Sequence, residues 1–140
     1  MPISSTHSKI FIIPRSAIDE NGHVNNVAYV QWMQDIAVEH YAAIGGIEAQ
    51  GHDTTWMVRE HKIEYLLPAY AGEEIEIKTW VENIRRVRSL RKYEFVRKSD
   101  GNVLVKGETD WVFIDTATGR PHPIPEKVSQ VFNIDSDSPL

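Results

Sequence analysis

A chain of 140 residues at 41% hydrophobic composition carries enough apolar surface for one sizeable core, and no break in composition before the last twenty positions divides it further. Its 15 Lys and Arg against 20 Asp and Glu give a mildly acidic field that excludes broad attraction to a nucleic-acid backbone. The absence of cysteine excludes disulfides, thiolate catalysis and zinc held by Cys. We therefore expect a single domain over residues 1–140, with a core over about 9–120 and a C-terminal tail over 121–140. Met1 to Lys9 is polar, and no run approaches the roughly 18 apolar residues that a spanning helix requires, so a cytoplasmic protein without a membrane span is expected.

Lys9 to Pro14 (KIFIIP) is a short apolar run closed by proline and reads as a strand. Arg15 to Asn25 follows as a loop, because Asp19-Glu20-Asn21-Gly22 suits neither helix nor strand. From Asn26 onward, Tyr29, Trp32, Met33, Ile36, Ala37, Tyr41 and Ile44 recur at three- and four-residue intervals, the pattern of a helix with one buried stripe. Asn25 or Asn26 is its natural N-cap and Gly45-Gly46 its stop, and Glu48 to Thr55 is a polar connector. Ile75, Ile77, Thr79 and Val81 then alternate with Glu74, Glu76, Lys78 and Trp80, as in a half-buried strand. Similar segments run near Thr55 to Leu66, Arg88 to Lys98 and Val103 to Asp115, with Ser99-Asp100-Gly101-Asn102 as a hairpin turn. The tail from His122, with Pro121, Pro123 and Pro125 around its start, reads as a strap followed by a frayed end.

Strand, long helix, then four strands argues for an α+β design in which one helix is wrapped by an antiparallel sheet, and against alternating βαβ units. A lone helix covers one sheet face. Several of Trp56, Trp80 and Trp111 then need another surface, most simply a second copy of the chain, so a homodimer is expected at least.

The stretch D-x-x-G-H-V-N-N-x-x-Y from Asp19 to Tyr29 leads into V-Q-W-M-Q-D, followed by I-E-Y-L-L-P-A-Y-A-G-E-E-I and finally W-V-F-I-D-x-x-T-G-R-P. This series resembles the hotdog-fold acyl thioesterases of the 4-hydroxybenzoyl-CoA thioesterase type and is similar to their acyl-carrier-protein thioesterase relatives, over about residues 9 to 125. The resemblance implies one long central helix wrapped by a curved five-stranded antiparallel sheet, dimers that often pair into tetramers, and active sites at the dimer interface. It implies hydrolysis of an acyl-CoA or acyl-carrier-protein thioester, with no cofactor beyond the coenzyme A or phosphopantetheine of the substrate. It also implies roles. Asp19 matches the catalytic carboxylate, as nucleophile or general base; Asn26 matches the position whose backbone N–H faces the thioester oxygen; Asn21 and His23 match the asparagine and histidine used beside the aspartate in the carrier-protein relatives.

The residues fit that chemistry in their own right. Thioester hydrolysis needs a group to attack or to activate water, which Asp19 offers, and a donor for the charge growing on the carbonyl oxygen. Backbone N–H groups near Asn26 and Val27 have no intrahelical acceptor and sit at the positive end of the helix dipole. Each residue also has a plainer reading. Asp19 suits an Asx turn, His23 suits an imidazole bonded to a loop carbonyl, and Asn25 and Asn26 suit helix caps. Tyr29, Trp32 and Met33 read as core before they read as substrate wall. Asp35 and Glu39 fall on the flank of the apolar stripe, as ordinary solvated acids or as groups reaching a partner's site. Ala17 departs from the commoner pattern, in which many relatives place another aspartate.

Seven of the 15 basic residues fall in fourteen positions: Arg85, Arg86, Arg88, Arg91, Lys92, Arg97 and Lys98. Arg85, Arg86 and Arg88 are candidate substrate-binding residues for the phosphates of coenzyme A, or for the acidic surface of a carrier protein. The plainer account is an exposed edge strand blunted by charge. The six histidines show no metal-ligand spacing and no G-x-S-x-G is present, so neither a metal site nor a serine triad is expected. A dehydratase of the same fold, which pairs aspartate and histidine in a D-x-N-P-x-H stretch, and a non-catalytic acyl-CoA binding module are the alternatives.

Overall fold

The computed structural model describes residues 3–134, with side chains through Phe132. Five strands form one sheet: β1 (His7–Ile12), β2 (Thr54–Tyr65), β3 (Glu74–Ile84), β4 (Arg88–Arg97) and β5 (Val103–Asp115). Their order across the curved, wholly antiparallel sheet is β1-β3-β4-β5-β2. The 18-residue helix α1 (Asn26–Ala43) turns Tyr29, Met33, Ile36, Ala37 and His40 toward it. The expected α+β architecture is therefore present, with strand boundaries within a few residues of those read from the alternation.

The helix rests on the sheet because the sheet makes room for it. Met33 is fully buried, and a Cβ placed on Gly107 of β5 would stand 2.9 Å from the Met33 Sδ. Glycine at this point lets the helix approach the strand backbone. Around that contact Ile75, Ile77, Tyr93, Phe95, Leu104 and Val105 form the main core, with Trp32 packed edge-on to Phe11 and Tyr29.

Two features differ from expectation. The polar connector contains a short helix, α2 (Gly46–Gln50), so Gly45-Gly46 ends α1 and at once starts another element. The tail is also more ordered. Its strap is real, since His122 N–H donates to the Phe113 carbonyl at 2.8 Å and Ile124 N–H to the Arg86 carbonyl at 2.9 Å. It then forms α3 (Glu126–Ile134), whose Val128, Val131 and Phe132 build a second core cluster with Val81, Tyr41 and Trp56. Part of the apolar surface assigned to a second copy is thus covered by the chain's own tail. The frayed end expected beyond it falls on residues 135–140, outside the described residues.

Replacing Gly107 by Val is expected to lower stability by about 1–3 kcal/mol, because the added methyl groups overpack the Met33 contact. Gly107→Ala is expected to cost less, since the thioether is the mobile end of its side chain. Urea unfolding midpoints of the two variants check this ranking.

Candidate active site

The loop between β1 and α1 closes on itself through Asp19. Its carboxylate Oδ1 accepts the Asn21 N–H at 2.9 Å, its carbonyl accepts the Gly22 N–H at 3.0 Å, and its own N–H donates to the His23 carbonyl at 3.1 Å. Gly22 has φ +85°, a left-handed conformation that a side chain would strain. The legs of the loop are tied by an Ile18–Val24 bridge and by the Asn25 N–H on the Ala17 carbonyl at 2.8 Å. Val24 N–H also donates to the Ala69 carbonyl at 2.9 Å, fixing the loop to the β2–β3 connection.

Asp19 is therefore half-buried and in an Asx turn that engages one carboxylate oxygen, while Oδ2 has no partner among the described residues. Asn21 is exposed and contributes its backbone to that turn. The His23 imidazole is half-buried and makes no hydrogen bond among the described residues, so its backbone carbonyl, rather than its ring, holds the turn.

At the helix start, Asn25 is the N-cap: its Oδ1 accepts the Val27 N–H at 2.7 Å and its carbonyl accepts the Ala28 N–H at 3.0 Å. That cap uses up one of the two donors expected there. The Asn26 N–H has no acceptor among the described residues, and it sits at the positive end of the helix dipole. A loop carboxylate and an open backbone donor thus flank the same six-residue turn into α1.

The remaining candidates separate. Tyr29 belongs to the core, packed edge-on against Phe95 and Trp32, and burial together with nearby Tyr65 and Glu73 pushes its phenol up to about 12. It lies beneath the helix, within the main core cluster. Asp35 accepts from Gln31 Nε2 at 2.8 Å, and Glu39 pairs with His7 at 3.4 Å and Lys9 at 3.9 Å, so both are tied along the solvated flank of α1.

The basic run is not one patch. β4 lies in the middle of the sheet, which rules out the edge-strand account, and the strand's alternation sends its cations to opposite faces. Arg91 is buried under α1, while Arg97 at the far end holds Glu73 and Asp100. Arg88 forks onto Asp110, which Arg59 also holds at 3.0 Å; burial opposes ionisation of that carboxyl, but these two guanidinium groups outweigh it and keep its pKa low. Arg85 and Arg86 remain exposed on the β3–β4 hairpin. That hairpin is the full length of β3 away from the Asp19 loop, roughly 33 Å for ten residues of strand.

A cavity of about 320 Å³ lies along the C-terminal half of α1, and none of Asp19, Asn21, His23 or Asn26 lines it. Arg91 does. Its signal was present in the alternation Ser89, Arg91, Tyr93, Phe95, which places it on the inward face with two core aromatics. Among the described residues no group of three or more His, Asp or Glu is placed to hold a metal ion, and no helix is long and apolar enough to cross a membrane.

A sequence model of the thioesterase-like superfamily matches residues 13–132. The chain belongs to that superfamily. A curated Caenorhabditis elegans protein described as "Putative esterase" is 25% identical over 118 residues, covering 84% of this chain and 68% of that one. Among solved structures, the 1,4-dihydroxy-2-naphthoyl-CoA thioesterase of Synechocystis superposes with a TM-score of 0.81 at 17% identity, over 96% of this chain and 100% of that one. A Staphylococcus aureus protein solved in complex with CoA gives 0.84 at 16% identity, over 96% and 88%. The 12:0-ACP thioesterase of Umbellularia californica gives 0.82 at 18%, over 91% of this chain and 50% of that one. These likenesses establish the hotdog fold.

Asn25→Ala removes the cap on Val27 and is expected to destabilise the protein by about 1 kcal/mol, read as a lower midpoint in chemical denaturation. Asn25→Asp, which keeps a cap acceptor, is expected to stay near the parent value.

Proposed function

We propose that the protein is a thioester hydrolase that acts on an acyl-CoA or acyl-carrier-protein thioester, with Asp19 as its carboxylate and the Asn26 N–H as oxyanion donor. The observation that supports this most directly is the state of the helix start. Asn25 caps Val27 and leaves the Asn26 N–H open, within a loop whose hydrogen bonds hold Asp19 to the same turn. An amide there stabilises an oxygen more strongly as it gains negative charge, which favours the transition state over the ground state.

Two routes use the same groups. Asp19 Oδ2 attacks the carbonyl carbon, the thiolate leaves, and water then opens the resulting anhydride; or Asp19 takes a proton from water, which attacks in its place. Either way the products are a carboxylic acid and a thiol, and no cofactor beyond the substrate's own carrier is required. Asn21, whose N–H holds the Asp19 carboxylate, and His23, whose carbonyl holds the Asp19 N–H, serve as positioning residues.

A second copy of the chain completes this reading. Val27 at 73% exposure and Val38 at 55% leave apolar surface along α1, and β2 is a twelve-residue sheet edge. Two-fold pairing that runs two sheets in opposite directions brings the Arg85–Arg86 hairpin of one copy toward the Asp19 loop of the other. There the hairpin serves the phosphates of coenzyme A or the acidic surface of a carrier protein. We propose a homodimer as the working unit, with a tetramer as a further assembly of such pairs.

Asp19→Asn tests the assignment cleanly, because the amide oxygen can still accept from Asn21 and preserve the turn. Release of free thiol from a panel of acyl-CoA and acyl-carrier thioesters is expected to fall about 10²-fold or more, with ligand binding retained. Unchanged hydrolysis removes Asp19 from the mechanism, and binding without turnover in the parent protein favours a non-catalytic module. Light scattering is expected to give a mass of at least two chains.

A further inference from the structure

The cavity along the C-terminal half of α1 lies outside the site just described, and it carries a charge in its wall. Arg91 is 4% exposed and lines it. Its Nη1 donates to the Thr79 Oγ1 at 3.1 Å and meets the His40 Nδ1 at 2.8 Å. Among the described residues no carboxylate lies within ion-pair distance, and burial draws the guanidinium down to about 10.

A guanidinium presents five N–H donors in one plane, and the named contacts engage a single nitrogen. Buried cations in proteins are ordinarily matched by an anion, since desolvation without a partner is costly. The fork of Nε and Nη2 has the shape that accepts two carboxylate oxygens at once. The surrounding wall is aromatic at Trp56, Trp111 and Phe132 and polar at Gln34, Gln50 and Ser89. A volume of about 320 Å³ suits a small organic molecule, and the indole faces suit a flat one.

We infer that this cavity binds an organic carboxylate carried on a planar apolar body, with the unused edge of Arg91 as its counterion. The site does not depend on the role of Asp19. Its ligand is either a free aryl carboxylate or the far carboxylate of an acyl group still attached as a thioester.

The test is a titration of the full chain with naphthoate and phenylacetate against the corresponding carboxamides, by calorimetry and by tryptophan fluorescence, since two of the chain's four tryptophans line the cavity. The acids are expected to bind about tenfold or more tightly than the amides, as a charge-assisted hydrogen bond implies. Arg91→Met is expected to abolish that preference and Arg91→Lys to keep part of it. Should Arg91→Met fail to fold, Ile47→Trp at the exposed lip blocks the cavity with Arg91 intact, and is expected to weaken acid binding about tenfold while the protein melts cooperatively. To separate the two sources, a thioester with a far carboxylate is compared with its neutral analogue. A KM raised in Arg91→Lys for the charged thioester alone assigns the site to the acyl end, and unchanged KM values with weakened acid binding assign it to a free acid. Equal binding of acid and amide by the parent protein, binding of neither, or acid binding untouched by Ile47→Trp overturns the inference.

Discussion

The contact between Met33 and Gly107 sets the height at which α1 sits on the sheet, and the rest of the molecule is arranged around that height. A bulky side chain at Gly107 would press on the Met33 thioether and push the helix away from β5, straining the edge-on packing of Tyr29 against Trp32 and Phe95. Dispersion falls off steeply with separation, so a small lift affects the whole layer. The helix is therefore held as a rigid rod whose two ends lie at known places over the sheet.

At the N-terminal end, rigidity is passed on by backbone hydrogen bonds and not by side chains. Ala17, Val24, Asn25 and Ala69 tie the loop to the helix and to the β2–β3 connection, and Asp19 closes the turn inside that frame. The turn-forming role of Asp19 and a chemical one are compatible. An Asx turn uses one carboxylate oxygen and orients the other, so the bond that makes the residue look structural also limits where its remaining oxygen points. A freely rotating carboxylate would have to be ordered anew for each substrate.

Much of this was legible in the residues. The 3.6-residue recurrence from Tyr29 to Ile44 marked α1, and the two-residue alternation from Glu74 to Val81 marked β3, because each element buries one face and the period records it. A cap at Asn25 or Asn26 was readable for the same local reason, and the structure uses Asn25. What was not legible depended on contacts distant in sequence. Val128, Val131 and Phe132 sit in a polar, proline-led tail, and their helix is worth forming only where Val81 and Tyr41 offer apolar surface. The basic run misled in the opposite way: adjacency in sequence suggested a patch, whereas strand alternation and the length of β4 scatter those cations over two faces and two ends of the sheet.

The two ends of α1 also explain how one small protein holds opposite charges in separate places. The peptide dipoles sum to positive potential at Asn26, where an oxyanion would be welcome, and to negative potential in the last turn, where His40 stands against Arg91. A guanidinium buried near the C-terminal end of a helix is stabilised by that end's carbonyls in the same sense that an anion is stabilised at the start. This offsets part of the desolvation that lowers its proton affinity. Reversing α1 on the sheet would reverse the sign of the potential at both ends, so the direction of the helix, and not only its position, sets the electrostatic surroundings of Asn26 and Arg91.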